Sequence, residues 1–134
     1  MSHATTDVPQ VQVISFGYGH AEPPAAHITL DLRVHFRDPH VSPEMRYMTA
    51  NDAQVREHVL ATSGVRAAIT GVATSAVALV SGPSGDTPVT IATGCAGGRH
   101  RAPTAAMAIA GILTTLGITV DLVHRDLERE VISR

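Results

Sequence analysis

The sequence has no tryptophan and no lysine, two tyrosines, two phenylalanines and a single cysteine. Each shortage excludes something. With 3% aromatic residues, a core cannot rest on stacked rings. The 44% hydrophobic content must come from Val, Ile, Leu and Ala, which suits close packing of helices on a sheet and argues against a disordered chain. One cysteine rules out an intramolecular disulfide and any multi-cysteine metal site. All ten basic residues are arginine, which together with abundant alanine reads as genomic base composition rather than function. The formal net charge of -2 gives no bulk attraction to nucleic acid, so RNA binding would need a local patch. Met1 to Gln10 is polar rather than signal-like, and the apolar stretch Val65 to Val80 is interrupted by Thr70, Gly71, Thr74 and Ser75. A cytoplasmic protein with no membrane segment is the expectation.

What is present fits one domain of 134 residues, long enough to bury an independent core. Residues 1–10 read as a flexible leader and 11–134 as a single domain. Val11 to Phe16 alternates weakly and reads as a strand. Gly17 to Pro24 must be a loop. His27 to Val34 alternates well, with Ile28, Leu30, Leu32 and Val34 on one face and Thr29, Asp31 and Arg33 on the other. His35 to Ala50, with Pro39 and Pro43, is a long non-repeating stretch of the kind that carries function. Asn51 or Asp52 can cap a helix to about Ala61. Val65 to Val80 has helical spacing at Val65, Ile69, Val72, Ala76 and Leu79 or Val80, although its β-branched content also suits a strand. Val89 to Thr93 is a strand, Pro103 to Leu116 a helix with Pro103 at its first position, and Ile118 to Val123 a last strand. The mixed-charge tail from Arg125 reads as a short helix. The order predicts an α/β fold: a small, mostly parallel four-stranded sheet with helices packed on it.

One turn organises the chain: Gly94-Cys95-Ala96-Gly97-Gly98-Arg99-His100-Arg101. It lies between the third strand and the following helix. Strand, glycine turn and helix start point backbone N–H groups at an anion, and the helix end adds about half a positive charge. An arginine fork suits phosphate oxygens. The turn is therefore predicted to hold a phosphate-like group.

The turn with Ala102 resembles the Gly-Cys-Thr-Gly-Gly-Lys-His-Arg-Ser loop in the C-terminal domain of the RapZ (YvcJ) family, RNase adapter or nucleotide-binding proteins. Ser15-Phe16-Gly17-Tyr18-Gly19 resembles the family's Ser-Phe-Gly start, and Asp31-Leu32-Arg33 its Asp-Val-Arg strand. Asp38-Pro39-His40, with Pro43-Glu44-Met45-Arg46 and Thr49, resembles its Asn-Pro-His…Pro-Glu-Leu-Arg…Thr-Gly segment. His124-Arg125-Asp126-Leu127 resembles its His-Arg-Thr/Asp-Leu ending. The resemblance runs from about Ser15 to Leu127. It implies a sensor domain that binds an amino-sugar phosphate, RNA binding, and assembly into homo-oligomers. It also implies a ligand site of Gly94, Cys95, Ala96, Gly97, Gly98, Arg99, His100 and Arg101, closed by His40, Arg46, Thr49, Asp31 and Arg33. The family's P-loop motif does not occur here, so nucleotide hydrolysis is not carried over. Ala96 and Ala102 replace hydroxyl residues of the family loop, and Arg99 replaces its lysine.

Other readings attach to the same residues. Cys95 and Arg101 satisfy Cys-x5-Arg, the spacing of a tyrosine-phosphatase loop in which a thiolate attacks phosphorus. Ala102 stands where such enzymes carry a hydroxyl, and no general acid is assignable. Asp31 and Arg33 can be a surface ion pair worth about 0–1 kcal/mol. The eight histidines are scattered, with no ligand spacing on a helix, so no metal and no cofactor are expected.

Overall fold

A computed structural model describes residues 8–37 and 43–132. The elements are β1 (Val11–Gly17), β2 (Ile28–Asp31), a 3-10 turn (Pro43–Tyr47), α1 (Ala53–Ala61), α2 (Val65–Ser81), β3 (Val89–Cys95), α3 (Arg101–Thr115) and β4 (Val120–His124). The four strands form one sheet in the order β2-β3-β1-β4, and every pairing is parallel. The expected α/β architecture is what forms.

The two faces of β1 explain the layering. Val11 and Val13 are fully buried and join Val89 and Ile91 of β3 in the core. α3 packs over β1, β3 and β4 and also meets α1 and α2. Its stripe of Ala102, Ala105, Ala106, Ile109 and Leu113 is fully buried, and the alanines let it approach the sheet closely. Gly117 and Ile118 close α3 with N–H bonds to Thr114 and Leu113 carbonyls, a Schellman stop. No helix among the described residues is long and apolar enough to cross a membrane, and α1 and α2 are bent by 91° at their break.

Four expectations are corrected. β2 ends at Asp31 rather than Val34, because the Asp31 carboxylate accepts the Arg33 N–H at 2.9 Å and turns the backbone away. Leu32 is buried, but Val34 is 75% exposed. Asp52 stands at the N-cap position of α1, yet its carboxylate accepts the Thr49 N–H instead of capping the helix. α3 begins at Arg101, two residues before Pro103, which still falls among the first-turn positions whose N–H has no helical partner. Among its described residues the tail forms a turn, Arg129 N–H to Asp126 carbonyl at 3.1 Å, and no helix. Val65–Ser81 is a helix despite its β-branched residues, because one stripe, Val65, Ile69, Val72 and Ala76, meets the core.

Ile109→Ala should lower the unfolding free energy by about 2–5 kcal/mol through lost burial and a residual cavity. Leu79→Ala, at a 43% exposed position, should change it by under about 0.5 kcal/mol. Urea denaturation of the two variants checks both.

Candidate functional site

The carboxyl ends of β1 and β3 approach each other as bare backbone. A Cβ on Gly17 would lie 2.5 Å from the Gly97 carbonyl carbon. Gly98 has a φ of 77°, and a Cβ there would lie 2.8 Å from the Gly17 nitrogen and 3.0 Å from Asp126 Cβ. Two glycine segments therefore lock together where any side chain would hold them apart.

Asp126, just past β4, fixes one partner of this contact. It is 1% exposed, and its Oδ2 accepts the Gly17 N–H at 2.8 Å and Arg125 Nε at 3.0 Å. Burial pushes its carboxyl up, but the Arg125 guanidinium and the Gly17 N–H outweigh that and hold it below the usual carboxylate value. Arg125 also donates to the Glu22, Ala21 and Gly17 carbonyls and lies over the Phe16 ring at 5.3 Å. This arginine is turned inward, which removes it from any basic surface the tail could offer RNA.

The turn itself is asymmetric in its hydrogen bonding. Four of its carbonyls accept backbone N–H groups: Cys95 from Tyr18, Ala96 from Gly19, Arg99 from Ala50 and His100 from Thr104. The N–H groups of Ala96, Gly97, Gly98, Arg99 and His100 donate to no acceptor among the described residues. Beyond them α3 begins. The Ala102 N–H donates to Cys95 Sγ at 3.3 Å, and Thr93 Oγ1 donates to the Ala102 carbonyl at 2.8 Å. Cys95 is 3% exposed, so its thiol serves the helix start.

The side chains of the turn face three ways. Arg99 donates through Nη1 to the Arg129 carbonyl and through Nη2 to the Tyr47 carbonyl, both at 2.8 Å. Arg101 Nη1 donates to the carbonyls of Leu32 and Arg33. His100 Nε2 pairs with the Met48 carbonyl at 2.8 Å, and burial pulls its pKa below the usual imidazole value. The two guanidinium groups thus bond to different segments of backbone.

A cleft of about 510 Å³ opens beside the turn. One wall is Cys95, Gly97, Arg99, His100 and Arg101, with Arg37 and Arg46. The other is Phe36, Pro43, Met45, Val55, Val59, Val131 and Ile132, with His58 and Thr62. Of the expected site, Arg46 joins the turn at this cleft. Gly94, Ala96 and Gly98 do not line the cleft, and Gly94 leaves room for the Phe16 and Tyr18 rings. Asp31, Arg33 and Thr49 do not line the cleft, although Arg101 of the turn donates to the Arg33 carbonyl at 3.2 Å and Asp31 is paired with Gly94 in the sheet. Arg33 makes a two-pronged ion pair with Asp31 and covers the Tyr18 ring at 3.5 Å, and it holds the Asp31 carboxyl below its usual value. Thr49 Oγ1 accepts the Asn51 N–H. His40 lies outside the described residues. Sequence reasoning missed the apolar wall, whose Val55 and Val59 read as an ordinary buried stripe, and missed Asp126, a charge directly after a strand. No group of His, Cys, Asp or Glu among the described residues could hold a metal.

A parallel sheet with a glycine turn and a cleft at its carboxyl edge defines a class: a ligand-binding α/β domain, with its pocket where such sheets place one. The RapZ C-terminal domain family matches residues 9–128, and the chain belongs to that family. A protein of Thermobifida fusca named nucleotide-binding protein is 38% identical over 123 residues, covering 90% of this chain and 42% of the relative. Like-named proteins of Rhodococcus opacus and Trichlorobacter lovleyi are 37% and 34% identical over 90% and 89% of this chain. The chain thus spans about two-fifths of the length of the curated relatives it matches, 42% and 40% in two of them.

Gly98→Ala should cost at least about 1–3 kcal/mol, from the positive φ alone. Thermal melting checks it, with Gly111→Ala, which meets open space, as control. Burial also lowers the pKa of His124, whose Nδ1 pairs with Ser15 Oγ at 2.6 Å. For His100 and His124 the unfolded chain binds protons first. Their contribution is full above about pH 6.5 and falls as the pH drops below it toward the lowered folded values. The melting temperature should fall from pH 7 to pH 5, and His124→Gln should show a shallower fall.

Proposed function

We propose that this chain is a regulatory binding domain that holds the phosphate of a small phosphorylated metabolite at the Cys95–Arg101 turn and does no chemistry on it. The observation that carries the reading is the run of N–H groups from Ala96 to His100 that donate to no acceptor among the described residues, at the start of a 15-residue helix and beside a cleft lined by arginines. Such a run is a nest for an anion, and the helix end adds favourable potential. The guanidinium groups of Arg99 and Arg101 supply positive charge beside it while staying tied to carbonyls. An amino-sugar phosphate, which the resemblance implies, heads the candidate metabolites. The relatives' name extends them to nucleotides. The domain works in the cytoplasm and as a homo-oligomer in this reading.

Isothermal titration with inorganic phosphate, glucosamine-6-phosphate and nucleoside monophosphates tests the reading. At least one should bind, and Arg101→Ala, with its fold checked by circular dichroism, should weaken that binding about tenfold, which is about 1.4 kcal/mol. Absence of heat from every phosphorylated compound would overturn the proposal. Turnover of p-nitrophenyl phosphate that vanishes in Cys95→Ser would overturn the non-catalytic half alone.

A further inference from the structure

The carboxylate of Asp126 stands directly behind the anion turn. A Cβ on Gly98 would lie 3.0 Å from Asp126 Cβ, and Asp126 is 1% exposed. A buried negative charge in that place is poorly screened and repels any anion held by the N–H groups of the turn. An anion site with an acid at its back needs a reason for the acid and something that cancels it.

Gly17 supplies the reason. Its N–H donates to Asp126 Oδ2 at 2.8 Å, and its carbonyl accepts Arg125 Nη2 at 3.3 Å, so the pair grips both backbone polar groups of this residue. The other side of Gly17 rests on the turn: a Cβ there would lie 2.8 Å from the Gly98 nitrogen. The next two residues continue the contact, with Tyr18 N–H bonded to the Cys95 carbonyl and Gly19 N–H to the Ala96 carbonyl. The Gly97–Gly98 backbone thus packs on Gly17, and Gly17 is held by the pair. Arg125 supplies the cancellation. Its Nε and Nη2 reach Asp126 Oδ2 at 3.0 and 2.8 Å. Side chains of adjacent residues within a strand point to opposite faces. Arg125 and Asp126 lie just past β4, where both turn toward Gly17.

We infer that Arg125 and Asp126 are positioning residues of the anion turn: the carboxylate sets the Gly97–Gly98 backbone through Gly17, and the guanidinium cancels the field of the carboxylate at the bound phosphate. The inference rests on the phosphate reading above and adds to it two residues that do not line the cleft.

Titration of the folded chain with inorganic phosphate and glucosamine-6-phosphate, with amide NMR on the same samples, tests this. Asp126→Asn and Asp126→Ala remove the same charge, but asparagine can still accept the Gly17 N–H. Its amide nitrogen then takes the place of Oδ1, which bonds nothing among the described residues. Asp126→Asn leaves the Arg125 charge behind the turn and should bind phosphate severalfold more tightly than the wild type. Asp126→Ala should bind about tenfold more weakly than Asp126→Asn, since a buried N–H loses its acceptor. Its Gly97 and Gly98 amide resonances should also move before any phosphate is added. Arg125→Gln should weaken binding about tenfold, because it leaves a buried carboxylate uncompensated. Adding Asp126→Asn to that variant should restore the affinity to within about threefold of the wild type. A purely structural role would lower the melting temperature of each variant and give no such rescue. If Asp126→Asn and Asp126→Ala bind phosphate alike, or the double variant binds no better than Arg125→Gln, the inference fails while the phosphate reading stands. If the wild type binds neither probe, both fail. Should Arg125→Gln not fold, the two Asp126 variants carry the test.

Discussion

The site depends on one contact: the backbone of Gly17 against that of Gly97 and Gly98. It brings the exits of two adjacent parallel strands closer than any pair of side chains would permit. The contact has a price on both sides, since Gly98 must adopt a left-handed φ and Asp126 must be buried as a carboxylate. The Asp126–Gly17 N–H bond and the Arg125 guanidinium offset the second cost. β1 is thus pinned from the β4 side, behind the turn.

The arginines show how the same residue type divides its work. Arg125 binds a carboxylate and three carbonyls. Arg33 closes on Asp31 and a tyrosine ring. Arg56 reaches the carbonyls of Ala50 and Asn51. A chain without lysine uses guanidinium forks as backbone staples, since a planar fork can serve two acceptors at once and an ammonium cannot do so with fixed geometry. Charge in this protein is thus in large part a structural material, and the arginine count overstates what is offered to a ligand.

Much of the fold was legible. Period-two alternation marked β1 weakly and β2 well, an apolar run marked β3, the small-residue run marked α3, and the glycine turn between β3 and α3 stood out by composition. What failed were boundaries set by a single local bond: Asp31 capturing the Arg33 N–H ended β2 early, and the thiol of Cys95 taking the Ala102 N–H let α3 start before Pro103. Of the residues expected at the site, Cys95, Gly97, Arg99, His100 and Arg101 of the turn and Arg46 line the cleft. The side chains of Asp31 and Arg33 close on each other, while the Arg33 carbonyl accepts a bond from Arg101 of the turn. The apolar wall was hidden for another reason. Val55 and Val59 have the same spacing whether a helix packs on solid core or borders a cavity, and only the third dimension separates the cases.

Arg99 has a consequence of its own. Its two amino groups tie together chain segments more than eighty residues apart, Tyr47 and Arg129, through neutral oxygens. A guanidinium bond to an oxyanion carries charge on both partners, whereas one to a carbonyl carries it on the donor alone. An oxyanion that drew this fork toward itself would untie both segments in one event, so occupancy at the turn and mobility at two distant stretches of surface would be read out by the same side chain.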